Sequence, residues 1–164
     1  MTENNEAIKS VVIERTLDAS AELVWKMWTE ADHFKAWYGP QGASIPTANI
    51  DLNVDRTRHV CMEMDTPNGP MQMWFVGQHQ EIVENKRLVY TESMSNAEGN
   101  VIDPSSMGMP EGHPATTQVV VELEELDGKT KMVVTHVGVP ADSPGAAGWN
   151  MAIDKLVAYV SEAE

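Results

Sequence analysis

Two hydrophobic periods organise this chain, and they change over at identifiable points. From Lys9 to Leu17, the apolar Val11, Val12, Ile13 and Leu17 interleave with Glu14, Arg15 and Thr16, which predicts a strand. The period then lengthens. Val24, Met27, Trp28 and Ala31 recur at helical spacing, Ser20 is placed to cap the helix, and Glu22 stands four residues before Lys26. A second short helical turn carries Phe34 and Trp37 before Gly39-Pro40 ends it.

From Ile45 to Val137 the period is two and turns are the punctuation. Pro67-Asn68-Gly69-Pro70 predicts a hairpin between Arg58 to Asp65 and Met71 to Val83, and Asp127-Gly128 predicts a tight turn between Thr117 to Leu126 and Lys129 to Val137. Arg87 to Met94 is a further strand. Ser95 to Ala115, rich in Gly, Pro, Ser and Met, is too long for a simple connection. Its segment Met107 to Pro114 suits a flap over an entrance. After it, Ser143 and Pro144 open a helix whose Trp149, Ile153, Leu156 and Val160 form one apolar stripe.

Composition narrows the setting. The 164 residues, 42% apolar and 22% charged, make one domain's worth of chain. Residues 1–164 are therefore expected to form a single domain, with 1–8 an N-terminal tail and 95–115 a long loop. Twenty-five acidic against 11 basic side chains leave a net charge of -14, which excludes nucleic acid as an expected partner, because phosphate neutralisation needs clustered Lys and Arg. No segment approaches the ~20 apolar residues of a membrane span, and the opening MTENNEAIKS lacks the apolar core of a signal peptide. No membrane partner and a cytoplasmic location are the expectation. Cys61 is the only cysteine, so an internal disulfide and a cysteine-built zinc site are both excluded. No phosphate-binding or dinucleotide glycine motif is present, and no cofactor is expected. Leu88 to Gly128 contains no Lys or Arg but eight acidic residues, among them Glu92, Glu98 and Glu122. That stretch favours a cationic or neutral ligand over an anionic one.

Several ordered segments are recognisable together. Ala21-Glu22-Leu23-Val24-Trp25 through Trp28, then Trp37-Tyr38-Gly39-Pro40, then Gly77 to Glu81 before Arg87-Leu88-Val89-Tyr90, and finally Gly148-Trp149 with Leu156 resemble the family related to the activator of heat shock protein 90 ATPase. That family belongs to the START-like (SRPBCC) superfamily, and the resemblance runs from about Val11 to Val160. It implies an α+β helix-grip fold: a curved antiparallel sheet wrapped on a long C-terminal helix, with two short helices after the first strand and an apolar cavity between sheet and helix. The eukaryotic chaperone activator carries an additional N-terminal domain not seen in this sequence, so its chaperone role is not expected to carry over.

Alternation then says which residues face that cavity. Met71, Met73, Phe75, Gly77 and His79 share one face of their strand; Leu88, Tyr90, Glu92 and Met94 share one; so do Thr130, Met132, Val134 and His136, with Val60, Met62 and Met64 on the corresponding face before the hairpin. The methionines suit an adaptable apolar lining. In the fold that the resemblance implies, Trp28 and Trp37 lie near the mouth. The expected ligand contacts are thus Trp28, Trp37, Met73, Phe75, His79, Tyr90, Glu92, Met132, Val134 and His136, for a small apolar or amphipathic molecule. His79, Glu92 and His136 are expected to meet, since a buried ionisable group needs a partner. A chaperone or other protein partner is the main rival reading, and a cyclase- or lyase-type enzyme using Glu92 with a histidine is the third. His59, Cys61 and Glu63 share the opposite, solvated face, where three residues along one straight strand do not converge on a metal.

Overall fold

The computed structural model describes residues 10–39, 42–51, 53, 57–102, 116–138 and 144–162. Among them run β1 (Ser10–Leu17), α1 (Ala21–Thr29), α2 (Ala31–Trp37), β2 (Ala43–Ile50), β3 (Thr57–Thr66), β4 (Gly69–Val83), β5 (Arg87–Ser95), β6 (Thr116–Leu126), β7 (Lys129–Val137) and α3 (Pro144–Glu162). The strands form one curled antiparallel sheet in the order β1-β7-β6-β5-β4-β3-β2. This is the expected helix-grip α+β fold, with strand bounds within two residues of those read from the alternation. Residues 1–9, Ser143 and the proposed flap Met107 to Pro114 lie outside the described residues.

Local chemistry explains the element ends. Ser20 Oγ accepts from the Leu23 N–H at 3.2 Å, and Glu125 on β6 accepts from the Ala21 N–H at 2.8 Å, so two N-terminal donors of α1 are satisfied. Glu30 is extended (φ -98°, ψ 126°), which breaks the helical stretch into α1 and α2. Asp127 and Gly128 both adopt positive φ, 57° and 83°, the backbone that a two-residue hairpin turn requires. The β4–β5 ladder shifts register between His79 and Glu81. Just before this bulge, a Cβ on Gly77 would lie 1.7 Å from the Thr91 carbonyl oxygen, so only glycine fits.

The α3 stripe Trp149, Ile153, Leu156 and Val160 is buried as its spacing predicts. The helix packs against β1, α1 and α2, and His33 Nδ1 to Tyr159 Oη (2.8 Å) adds a polar tie between α2 and α3. Aromatic rings fill the junction: Trp28 lies 4.8 Å from Trp37 and 6.1 Å from Trp149, and Phe34 stacks on Tyr38 at 4.4 Å.

Candidate functional site

The residues expected to line the cavity separate by depth. Trp28, Trp37, His79, Tyr90, Met132, Val134 and His136 are buried. All but the two histidines belong to one apolar core with Trp149, Ile153 and Leu156. Trp28 Nε1 points at Met132 Sδ (3.3 Å), and Trp37 Nε1 donates to the Met27 carbonyl (3.0 Å), so both indoles are used internally. Met73 and Phe75 are half-buried and pack against this core from the β3–β4 side, beside Met64. A surface groove of about 530 Å³ lies elsewhere, between Ala31, Ile50, Asp51, Thr57 and His59, and touches none of the expected contacts.

Of the three expected ionisable partners, two meet. Glu92 Oε1 lies 3.7 Å from His136 Nε2, both side chains largely buried. His79 sits instead beside Tyr90, its cross-strand partner, with ring centroids 6.4 Å apart. Around the pair runs a chain that includes residues not foreseen as partners. Trp149 Nε1 donates to His136 Nδ1 at 2.8 Å; an indole only donates, so Nδ1 must be the bare nitrogen and the neutral ring carries its proton on Nε2. Nε2 lies 2.6 Å from Thr117 Oγ1, whose hydroxyl reaches the Glu92 carbonyl at 3.2 Å. Tyr38 donates to Glu92 Oε2 at 3.0 Å. Burial, followed by the nearby Glu92 carboxylate, holds the Tyr38 phenol well above its ordinary pKa, so it stays a donor. Both ring nitrogens of His136 are therefore engaged, which suits an orienting network better than proton transfer to a substrate.

Two further side chains face the same interior without such satisfaction. Arg58, buried at the start of β3, makes no ion pair among the described residues, and its Nη1 has no hydrogen-bond partner. The Tyr90 hydroxyl is likewise buried and unbonded, and burial raises its pKa above the usual phenol value. Arg58 shares strand parity with Val60, Met62 and Met64, so one more step of the same alternation would have found it. Tyr38 had only its place after Trp37 as a signal.

On the other face of β3 the expectation of solvent fails. Cys61 is fully buried, because Trp74 stands opposite it on β4 and the His59 ring packs on Trp74 at 4.7 Å. The Asn96 carbonyl lies 3.4 Å from His59 Nε2, so the turn after β5 covers this patch. Burial, with Glu63 beside it, pushes the Cys61 thiol up and away from the reactive thiolate.

A curled antiparallel sheet closed by a long C-terminal helix, with polar groups at its inner face, defines a START-like (SRPBCC) helix-grip domain. Within that class, residues 18–161 match the model of the Activator of Hsp90 ATPase homolog 1-like protein family, and the chain belongs to it. Solved structures share the fold. A protein of Chromobacterium violaceum is 19% identical with a TM-score of 0.75, covering 93% of this chain and 96% of its own. One of Nitrosomonas europaea is 21% identical with a TM-score of 0.74, covering 95% and 96%. An AHSA1 protein of Silicibacter pomeroyi is 15% identical with a TM-score of 0.70, covering 94% and 99%. At these identities the likeness speaks to fold alone. No curated protein matches the chain significantly.

Proposed function

We propose that this protein binds a small amphipathic molecule between the inner face of its sheet and α3. The observation that carries the reading is a graded apolar track on β3 and β4. Met71 at the hairpin end is 47% exposed, Met64, Met73 and Phe75 are half-buried, and Met62 and Val60 are closed off at 7% and 3%. Register places these residues opposite one another, Val60 with Phe75, Met62 with Met73 and Met64 with Met71. Partly covered methionines with several rotatable bonds admit an apolar body without a rigid preformed void. The Tyr38–Glu92–His136 chain borders the inner end of this track and supplies fixed polar groups for orientation. Trp28, Trp37, Met132 and Val134 serve as its packed floor.

Native mass spectrometry of freshly purified protein is expected to show a small molecule bound at one copy per chain, and its removal to lower the melting temperature. A mass matching the bare chain, together with no binding of an apolar fluorophore, would overturn the reading. The family description supports a second one, contact with an Hsp90-type ATPase, for which retention of such an ATPase on the immobilised protein is the required result.

A further inference from the structure

The inner face of β3 does not end on an apolar residue. Two positions before Val60 the alternation turns Arg58 inward, and only 5% of it is exposed. A guanidinium stays charged at any pH that a folded protein survives, so burying it calls for a counter-charge or directed acceptors. Neither is supplied here by the described residues. Its Nη1 is buried and unbonded, and the neighbours that hold it are aromatic: Cζ lies 3.7 Å from the centroid of Tyr90 and 5.0 Å from that of Phe34. Stacking on ring faces offsets part of the lost hydration but accepts none of the in-plane N–H groups. The hydroxyl of that same Tyr90 is also unbonded, while Gly77, opposite Arg58 on β4, brings no side chain to either. Glu92 does not fill the gap: its carboxylate meets Tyr38 and His136, and among the described residues it makes no ion pair with Arg58. Two buried donors therefore stand together with no acceptor, at the closed end of an apolar track.

Resting on the internal site proposed above, we infer that Arg58 and Tyr90 receive the carboxylate of an amphipathic monoanion whose apolar body lies along Val60, Met62 and Met64. The two oxygens of a carboxylate match the guanidinium fork, and one of them also accepts from the Tyr90 hydroxyl. A dianionic head such as a phosphate is disfavoured, because Glu92 faces the same interior and the whole chain carries -14. From Arg58 to Met64 the strand spans about 20 Å at ~3.4 Å per residue, long enough to run beside a medium-length alkyl chain that displaces the flexible methionine side chains. The guanidinium thus selects an anionic head although the chain around it is acidic.

Decanoate, decanol and decyl phosphate, titrated calorimetrically into the full chain, form the test. Decanoate is expected to bind about ten- to a hundred-fold more tightly than decanol, the range of a charge-assisted hydrogen-bonded pair. Arg58→Met should abolish that preference, and Tyr90→Phe should reduce it. Independently of any variant, the carboxyl resonance of [1-13C]decanoate in the complex should titrate at lower pH than the free probe. Equal affinity for decanoate and decanol, an unshifted titration, a preference surviving Arg58→Met, or tighter binding of decyl phosphate overturns the inference while leaving the internal site standing. If none of the three probes binds, the site and the inference fall together.

Discussion

Tyr90 and Tyr38 show how far a single side chain's setting departs from its ordinary chemistry. Both phenols are buried, near Glu92 and Arg58, and both are held above the usual value near 10, chiefly by loss of hydration. Below that value each is neutral in the folded and unfolded states alike, and its titration does not affect stability. Above it, only the unfolded chain releases the proton, so stability falls by about 1.4 kcal/mol per pH unit for each phenol. Denaturant melts taken at pH 9 and pH 11 are expected to show this loss, with a shallower slope for Tyr90→Phe. An unchanged slope in the variant would place the titration elsewhere. Glu92 and His136 were legible as inward-facing ionisable groups from their strand parity. Their bonds to Tyr38, Thr117 and Trp149 were not, because those partners come from α2's end, β6 and α3, and no spacing along the chain encodes that convergence.

At the level of elements, turn and cap chemistry proved readable because it is local. Ser20 caps α1, and Asp127-Gly128 turns between β6 and β7, each where its residue type predicts. The β4–β5 bulge is different: Gly77 stood out as an inward position and as part of a recognisable segment, but the reason for a glycine there lies in the neighbouring strand. Gly77→Ala must push the Thr91 carbonyl away from a Cβ 1.7 Å distant, at an expected cost on the order of 3 kcal/mol or more. Gly128→Ala meets no atom within 4 Å and pays only for its positive φ, about 1 kcal/mol. Chemical denaturation of the two variants separates these cases, and equal losses would refute the close-approach argument. The covering of Cys61 by Trp74 belongs to this scale too, since outward parity on β3 says nothing of a large ring opposite or of the Asn96 turn above it.

The whole molecule carries 25 acidic and 11 basic side chains, and the described ion pairs use few of the acids. Arg87 bridges Glu81 (3.0 Å) and Glu122 (2.6 Å), and Arg15 meets Asp154 at 3.3 Å, all at the surface. Self-repulsion of the remaining charge is screened over about 10 Å at 0.1 M salt. The melting temperature is therefore expected to rise between about 10 mM and 300 mM sodium chloride. A flat or falling curve by scanning calorimetry would show that the net charge does not limit stability. The same imbalance makes the buried Arg58 conspicuous: in a chain with acids to spare, none of the described ones was placed to neutralise it.

By itself the sequence determined the order of elements, the face of each strand, the apolar stripe of α3 and the family, because period, turn chemistry and short ordered motifs are local properties. Only the tertiary structure decided which inward residues became packed floor, that His136 received its donor from Trp149, and that Arg58 was enclosed between Tyr90 and Phe34. Alternation assigns a side chain to a face, but register, bulges and the closing helices decide what it meets there, and these are set by parts of the chain far from the residue itself.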